Sequence, residues 1–468
     1  MYGILQPGPD VPDGVPYVRP TEIVEDSIKL ESLKRTSPEI AERYRRSSLR
    51  AGDVLLSIVG TIGKVAVVPV DLDGANITQS SCRVRPCAGL VSTELMAAFL
   101  RSPLARSQFE AARLGTAVPR LNLEDVRKIE VPLPPLPEQR RIVAKIDSLT
   151  GKSRRARDHL DHIPRLVEKY KQAVLAAAFR GDLTGAWRSK QIERESASAL
   201  VARTAEPPQS RGGREATKNI KAGVAGLAVN NPGTQPPEDW AWVPLRRIAR
   251  QETGHTPSRN KPEYWDGSIP WVGIRDAGAH HGTIIDKTIQ TISEAGLENS
   301  SARQLPEGTV CLSRTASVGY VTIMGRAMAT SQDFATWTCS EALLPKYLMY
   351  ALMAEGESIR EFGEGSTHTT IYFPEIRALH ICLAPLAEQH EVVRRVEKAL
   401  AWIDRLASEA ASARRLVEHL GQTVLAKAFR GELVPQDPAD EPASILLERI
   451  RAERGVAGSA RRGRMRRA

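Results

Sequence analysis

The chain contains no Cys-x-x-Cys pair, and its five cysteines, Cys82, Cys87, Cys311, Cys339 and Cys382, are scattered. This spacing points to neither a zinc knuckle nor a disulfide framework; it suits small buried apolar residues in a reducing compartment. The start, Met1-Tyr2-Gly3-Ile4, has no basic stretch leading into an apolar one, and no uncharged apolar run is long enough to span a bilayer. A soluble, cytoplasmic protein with no membrane contact is expected. Catalytic signatures are just as scarce. There is no Asn/Asp-Pro-Pro-aromatic motif or glycine-rich cofactor loop, as an amine methyltransferase would need, and no Asp or Glu stands two residues before a Lys, as is common in metal-dependent nucleases. Gly60-Thr61-Ile62-Gly63-Lys64 lacks P-loop spacing and is followed by Val65, so a strand-turn-strand is expected there. His280-His281 has no carboxylate or thiol at ligand spacing and reads as a solvated loop. Neither a metal site nor a catalytic centre is expected.

Repetition is what the sequence does have. Residues 115 to 181 return as 365 to 431 at a constant offset of 250: Glu138-Gln139 becomes Glu388-Gln389, and Ala178-Phe179-Arg180-Gly181 becomes Ala428-Phe429-Arg430-Gly431. Upstream, Leu49 to Ser57 matches Leu305 to Ser313 at an offset of 256, and Pro16-Tyr17-Val18 matches Pro270-Trp271-Val272 at 254. Solenoid repeats run roughly 20 to 50 residues, so this period is that of whole domains. Each half is a divergent region followed by a closely matched one. At 468 residues, with 41% hydrophobic and 26% charged content, the chain can bury two cores, and a net charge of +10 suits contact with phosphates.

The divergent regions read as compact α+β domains, with short β-branched runs at Asp53 to Val59 and Val65 to Val68 followed by helical patches at Ser92 to Phe109 and Leu344 to Phe362. The matched block begins after a proline-rich stretch, with Glu138 at a helix start. From there apolar residues recur in steps of four and three. The first copy gives Ile142, Ile146, Leu149, Leu160, Ile163 and Val167; the second gives Val392, Val396, Ile403, Leu406, Val417 and Leu420 in the same register. Two long helices packed on each other are expected, antiparallel if an internal two-fold axis crosses them. Pro164 must kink or split the first helix, whereas Arg414 occupies the matching place in the second.

The expected fold is α+β: two globular α/β domains in tandem pseudo-two-fold repeat, separated by two long antiparallel coiled-coil helices. The boundaries are a first domain at 1–136, a helical spacer at 137–184, a Pro/Gly-rich linker at 185–237, a second domain at 238–386, a second spacer at 387–434, and a C-terminal helix with a basic tail at 435–468. Glu195 to Leu200 echoes Glu441 to Leu446, which opens a short helix to about Arg454. The tail carries Arg461, Arg462, Arg464, Arg466 and Arg467 and reads as solvated.

Pro134-Pro135-Leu136-Pro137-Glu138-Gln139, Gln172 to Gly181, and Leu425-Ala426-Lys427-Ala428-Phe429-Arg430-Gly431 resemble the specificity subunit of type I restriction-modification enzymes. Tyr2 to Gly8 and Glu441 to Arg454 are also similar to members of that family. The resemblance covers nearly the whole chain. It implies two target recognition domains, each reading half of a bipartite double-stranded DNA site, with the conserved helices acting as a ruler. It implies two modification subunits that carry S-adenosylmethionine and methylate adenine, and restriction subunits that use ATP and Mg; this chain itself would hold no cofactor. There is one departure. Trp240, Trp242 and Leu245 to Gln251 precede the Thr253-Gly254 that matches Tyr2-Gly3, so the first half lacks roughly a dozen residues found in its twin. Either a start codon assigned too late or a damaged first domain would account for this.

The candidates for DNA contact are Arg19 and Arg275 after the Pro-aromatic-Val strands, Lys64 and Arg314 at the Gly/Ser turn, Gln79 and Gln332, which match by type, and Arg120 opposite Thr370. Arg reads guanine and Gln reads adenine bidentately. Thr116, Val118, Ser366 and His368 share the Arg120 and Thr370 loops, which are expected to face DNA. Turn hydrogen bonding or a solvated basic surface is the competing role for each. Two other readings of the chain stay open: a single-chain restriction enzyme with fused specificity, and a coiled-coil scaffold without a DNA role.

Overall fold

A computed structural model of the chain describes residues 3–115, 118–191, 195–209, 227–229, 235–363 and 369–452. The readings on Met1, Tyr2, Thr116, Ser366, His368, the linker at 210–226 and 230–234, and the basic tail from residue 453 lie outside the described residues. Packing divides the chain into two units, Met1–Asp161 with Ala410–Ala468, and His162–Glu409. Each therefore joins one copy's variable domain to residues of the other copy's helix.

In the first unit, strand Val54–Ser57 lies between Val65–Val67 and Ser81–Val84, antiparallel to both. Side chains alternate across a strand. Val54 and Leu56 enter a core with Phe99 and Phe109, while Leu55 enters a second core with Val18, Ala66 and Ile77, which is why this run is apolar throughout. A second sheet sets Val15–Val18 antiparallel to Lys34–Thr36 and parallel to Asn76–Ile77. Helices Thr93–Arg101 and Pro103–Ala112 follow, each started by a serine, Ser92 and Ser102, whose side chain accepts a backbone N–H.

The second unit enlarges the same plan. Val310–Ser313 lies between Val321–Met324 and Phe334–Cys339, and Ala249–Thr253 extends the sheet beyond Phe334–Cys339. Trp265–Val272 pairs with Gln290–Ile292 and Ala329–Thr330. The copies differ at two edges. Among the described residues of the first unit, no strand covers the outer side of Ser81–Val84, the equivalent of Phe334–Cys339. Leu379–Leu383 is a strand flanked by Ala241–Pro244 and Leu227–Val229, whereas the matching residues 129–133 form none. A strand needs neighbours for its N–H and C=O groups, and Pro132 also removes a donor.

The first long helix splits where Pro164 requires: Leu136–Asp161 ends, and Ile163–Phe179 begins with Pro164 in its first turn. Leu386–Phe429 runs unbroken. The helices are antiparallel within each unit. In the first, Ile142 and Ile146 share a core with Val424, Ala428 and Phe429, while Asp161 pairs with Arg414 at 2.6 Å. In the second, Leu175 and Phe179 share a core with Val392 and Val396, while Lys171 pairs with Asp404 at 2.6 Å.

The expected seam is only partly closed. Ile142, Ile146, Val392, Val396 and Ile403 are buried; Leu149, Leu160, Ile163, Val167 and Val417 are half-buried. Leu406 and Leu420 are corrections to the expected core, being 40% and 48% exposed. Full burial of an apolar stripe needs a neighbour across its whole width, and away from the globular cores a helix here has one helical neighbour. The linker also needs correcting: Ala197 and Leu200, on helix Ala197–Arg203, are fully buried in the second unit's core, and Leu227–Val229 is a paired strand.

The helix ends close the cores through aromatic contacts. Phe429 meets Phe99 edge-to-face at 5.3 Å, and Phe179 meets Tyr347 at 5.1 Å. We expect Phe429→Ala to destabilise the first unit by ~3–5 kcal/mol in chemical denaturation, through a lost ring and a residual cavity. A loss below about 1 kcal/mol would show that this contact does not close the core.

Candidate nucleic-acid interface

The Gly/Ser turn is built alike in both units. Ser57 Oγ donates to the Thr61 carbonyl at 2.5 Å and accepts from the Lys64 N–H at 2.8 Å; Ser313 Oγ donates to the Ser317 carbonyl at 2.5 Å and accepts from the Tyr320 N–H at 2.8 Å. Gly60, at φ 74°, has Ala316 as its counterpart at φ 62°, a left-handed conformation that strains a residue with a Cβ. The turn is a strand connection with no phosphate-loop geometry. One serine fixes its shape, so its exposed residues can vary without altering it.

In the first unit Arg19 donates through Nε and Nη2 to Glu22, at 3.0 and 2.6 Å. Burial pushes the Glu22 carboxyl up, and the hydrogen bonds from Arg19 and Thr21 more than offset this, so it lies below the usual carboxylate range. Arg19 is thus committed to the framework. Lys64 donates to the Pro20 carbonyl at 2.9 Å, which brings these two candidates onto one segment. Arg120 is exposed; its backbone bridges Val59 and Leu114, which sets its loop beside the turn. Gln79 is half-buried, and its N–H donates to the Ile4 carbonyl at 3.1 Å.

In the second unit Arg314, Gln332 and Thr370 come together. Arg314 lies over the Phe373 ring at 4.4 Å and donates from Nη2 to the Gln332 carbonyl at 2.9 Å, and its own carbonyl accepts the Ile371 N–H at 2.8 Å. Burial holds its guanidinium below its ordinary range, with Asp333 opposing the shift. Thr370 Oγ1 donates to Thr315 Oγ1 at 3.2 Å, and Gln332 Oε1 accepts from Thr256 Oγ1 at 2.7 Å. Arg275 is exposed on helix Ile274–Ala279, just after the strand whose Val272 carbonyl accepts the Ser331 N–H at 3.2 Å.

One basic feature escaped the candidate set. Arg43, Arg46 and Arg127, all exposed, line a cavity of 550 Å³ in the first unit together with Tyr44, Asn122 and Glu124. Its signal was present in the run Arg43-Tyr44-Arg45-Arg46, which faces a neutral Asn299-Ser300-Ser301-Ala302 in the twin.

The repeated Glu-Gln pair is framework. Gln139 accepts the Ser92 N–H at 2.9 Å and donates to the Leu90 and Pro134 carbonyls; Gln389 accepts the Leu344 N–H at 3.0 Å and donates to the Ala342 and Ala384 carbonyls. Glu388, 1% exposed, accepts from Thr184, Arg188 and Trp240 at 2.6, 2.6 and 2.9 Å. Among the described residues no group of three or more His, Cys, Asp or Glu is placed to hold a metal, and no helix is long and apolar enough to cross a membrane. His281 Nδ1 accepts the Val321 N–H at 3.0 Å, tying its turn to strand Val321–Met324. Burial pushes the Cys82 and Cys382 thiols up to about 12, which makes them poor nucleophiles and metal ligands.

A family model described as the type I restriction modification DNA specificity domain matches residues 9–159 and 237–408. The type I restriction enzyme EcoBI specificity subunit of Escherichia coli is 31% identical over 221 residues, 46% of this chain and 46% of its own length. The EcoKI specificity subunit of Escherichia coli strain K12 is 24% identical over 404 residues, 82% of this chain and 76% of its own. The HsdS subunit from Thermoanaerobacter tengcongensis superposes with a TM-score of 0.58 at 22% identity, over 90% of this chain and 91% of that one. A chain from a structure of type I R-M system assembly and conformational transition gives 0.61 at 22%, over 90% and 92%. These two likenesses establish the shared fold.

The Arg314 clamp can be tested by hydrogen exchange. Arg314→Ala should raise amide exchange at Ile371 by about tenfold or more, because a hydrogen-bonded amide exchanges through local opening. Unchanged protection there would show that the backbone holds this loop without the guanidinium.

Proposed function

This chain belongs to the type I restriction-modification DNA specificity family, and from that premise we propose that it is the subunit that reads DNA, one domain for each half of a bipartite double-stranded site. One observation carries the reading. The same serine-fixed turn stands in both units, while side chains on and beyond it differ: half-buried Lys64 stands against exposed Tyr320, and, elsewhere in the domain, exposed Arg43 and Arg46 beside a cavity stand against neutral residues. A kept scaffold bearing changed surface groups suits two readers of unlike sequences.

Under this reading the chain is not catalytic. Two modification subunits dock on the helical spacers, where Tyr170, Trp402 and Leu406 of the second unit and Leu416 and Leu420 of the first leave apolar surface exposed. They supply S-adenosylmethionine and methylate adenine. Restriction subunits supply ATP- and Mg-dependent translocation and cleavage, and the complex acts on DNA in the cytoplasm. The basic cavity of the first unit holds backbone phosphates.

The purified chain should show no methyl transfer, ATPase or nuclease activity and should gain methylation of a bipartite sequence only with its modification partner. Turnover by the chain alone, at a purity excluding host enzymes, would favour the single-chain enzyme. Affinity for its site should fall steeply with salt, and replacing Arg43, Arg46 and Arg127 together by Ala should reduce the log-log slope by about 0.9 per lost phosphate contact. A slope unmoved by all three changes would remove the cavity from the phosphate path.

A further inference from the structure

We propose that Arg259 reads a guanine in the half-site recognised by the second unit. This rests on the DNA-reading function above and adds a residue, a base and a half-site to it.

The guanidinium is placed before any ligand arrives. Arg259 Cζ lies 4.6 Å from the Trp265 ring centroid and 5.7 Å from that of Trp271. The two indoles are edge-to-face, 5.3 Å apart at 82°. Each also ties down the loop that carries Arg259: Trp265 Nε1 donates to the Ser258 carbonyl at 3.2 Å, and Trp271 Nε1 to the His255 carbonyl at 3.1 Å. The rings rise from strand Trp265–Val272, paired on both sides. Arg259 Nη2 donates to Gln290 Oε1 at 3.3 Å, which fixes the group from a second direction.

A long exposed side chain is normally costly to order, and stacking on aromatic faces settles most of that cost in advance while the N–H donors at the rim stay available. Nothing negative occupies those donors. Arg19, Arg85 and Arg188 are committed to carboxylates, whereas no carboxylate pairs with Arg259 among the described residues. Polar groups continue the surface from this platform: Thr256, three residues earlier, bonds Gln332, whose carbonyl meets Arg314. A rigid guanidinium with one donor on Gln290 and the others unpaired among the described residues suits the O6 and N7 acceptors of guanine, which it binds bidentately. The repeat assigns the half-site: at the offset of 254 Trp271 and Trp265 correspond to Tyr17 and Val11, the stretch Leu5-Gln6-Pro7-Gly8 opposite Arg259 holds no arginine, and no such platform stands among the described residues of the first unit.

The test uses the full chain co-expressed with its modification partner in a host lacking other adenine methylation, with methylated sites mapped by sequencing. The wild type should give a bipartite motif with a fixed guanine in one half. Arg259→Ala should relax that position alone, lowering the preference for guanine about ten- to a hundredfold, and leave the other half-site unchanged. Arg259→Lys, which keeps the charge and loses the fork, should relax the same position; it decides the matter if thermal melting shows the Ala variant unfolded. A motif unchanged in both variants, with methylation lowered evenly, would make Arg259 a phosphate contact and overturn the proposal. So would a wild-type motif without guanine in the affected half. A wild type that methylates no bipartite sequence would instead bring down the underlying function.

Discussion

The main core of each unit is closed by a helix end encoded next to the other variable domain. Phe429, which follows the second domain in sequence, fills the first unit's core against Phe99, and Phe179, which follows the first, fills the second unit's core against Tyr347. Neither domain completes its hydrophobic interior from its own copy. The repeated Ala-Phe-Arg-Gly segment is therefore fixed by packing, not by chemistry at a site. A buried aromatic side chain contributes several kcal/mol in such a place, a large share of the ~5–15 kcal/mol that holds a domain folded.

The polar contacts at the helix starts follow from that arrangement. A helix that begins inside a core brings free N–H groups and neighbouring carbonyls out of water, and these must find partners. Gln139 and Gln389 do this with the same three bonds each, one accepted and two donated. The preceding glutamates are treated differently. Glu388 is held by Thr184, Arg188 and Trp240, but the residue matching Thr184 in the other copy is Val434; in the first unit Arg141, three residues after Glu138, instead pairs with Asp440 at 2.6 Å. The glutamine is kept because the backbone demands it; the glutamate's partners drift with the local sequence.

Much of this was legible in the sequence because it is periodic or repeated. The offset of 250 gave two copies, the break at Pro164 followed from its ring and missing N–H, and the spacing of Gly60 to Lys64 already excluded a phosphate loop. The misses have a common cause: burial is a property of neighbours. Leu406 and Leu420 keep the heptad register but stand exposed, and Ala197 and Leu200 sit in a stretch of linker composition yet are fully buried. Residues 129–133 match a strand in the other copy and form none, since strand Ala241–Pro244 finds no equivalent beside them among the described residues. The candidate site shows the same division. Residue type marked Arg19 and Arg314 as cations; Glu22 lies within local reach, three residues after Arg19, but the Phe373 ring that commits Arg314 is far along the chain, a contact no spacing rule predicts.

Those commitments separate two jobs that one residue type performs. Arg314 is half-buried, with its Nε lacking a hydrogen-bond partner, and it spends its remaining donors on the Gln332 and Ile371 carbonyls. It shapes the loops and has little capacity left to read anything outside them. Arg43, Arg46 and Arg127 are exposed beside a cavity and suit an anion at no fixed angle. A phosphate needs charge nearby, whereas a base edge needs a fork held at one orientation, so flexible cations position a duplex and rigid ones discriminate along it. The serine-fixed turn makes that division workable: Ser57 and Ser313 hold the same backbone whether Lys64 or Tyr320 follows, so recognition surfaces can diverge between the copies while the strands beneath keep their register.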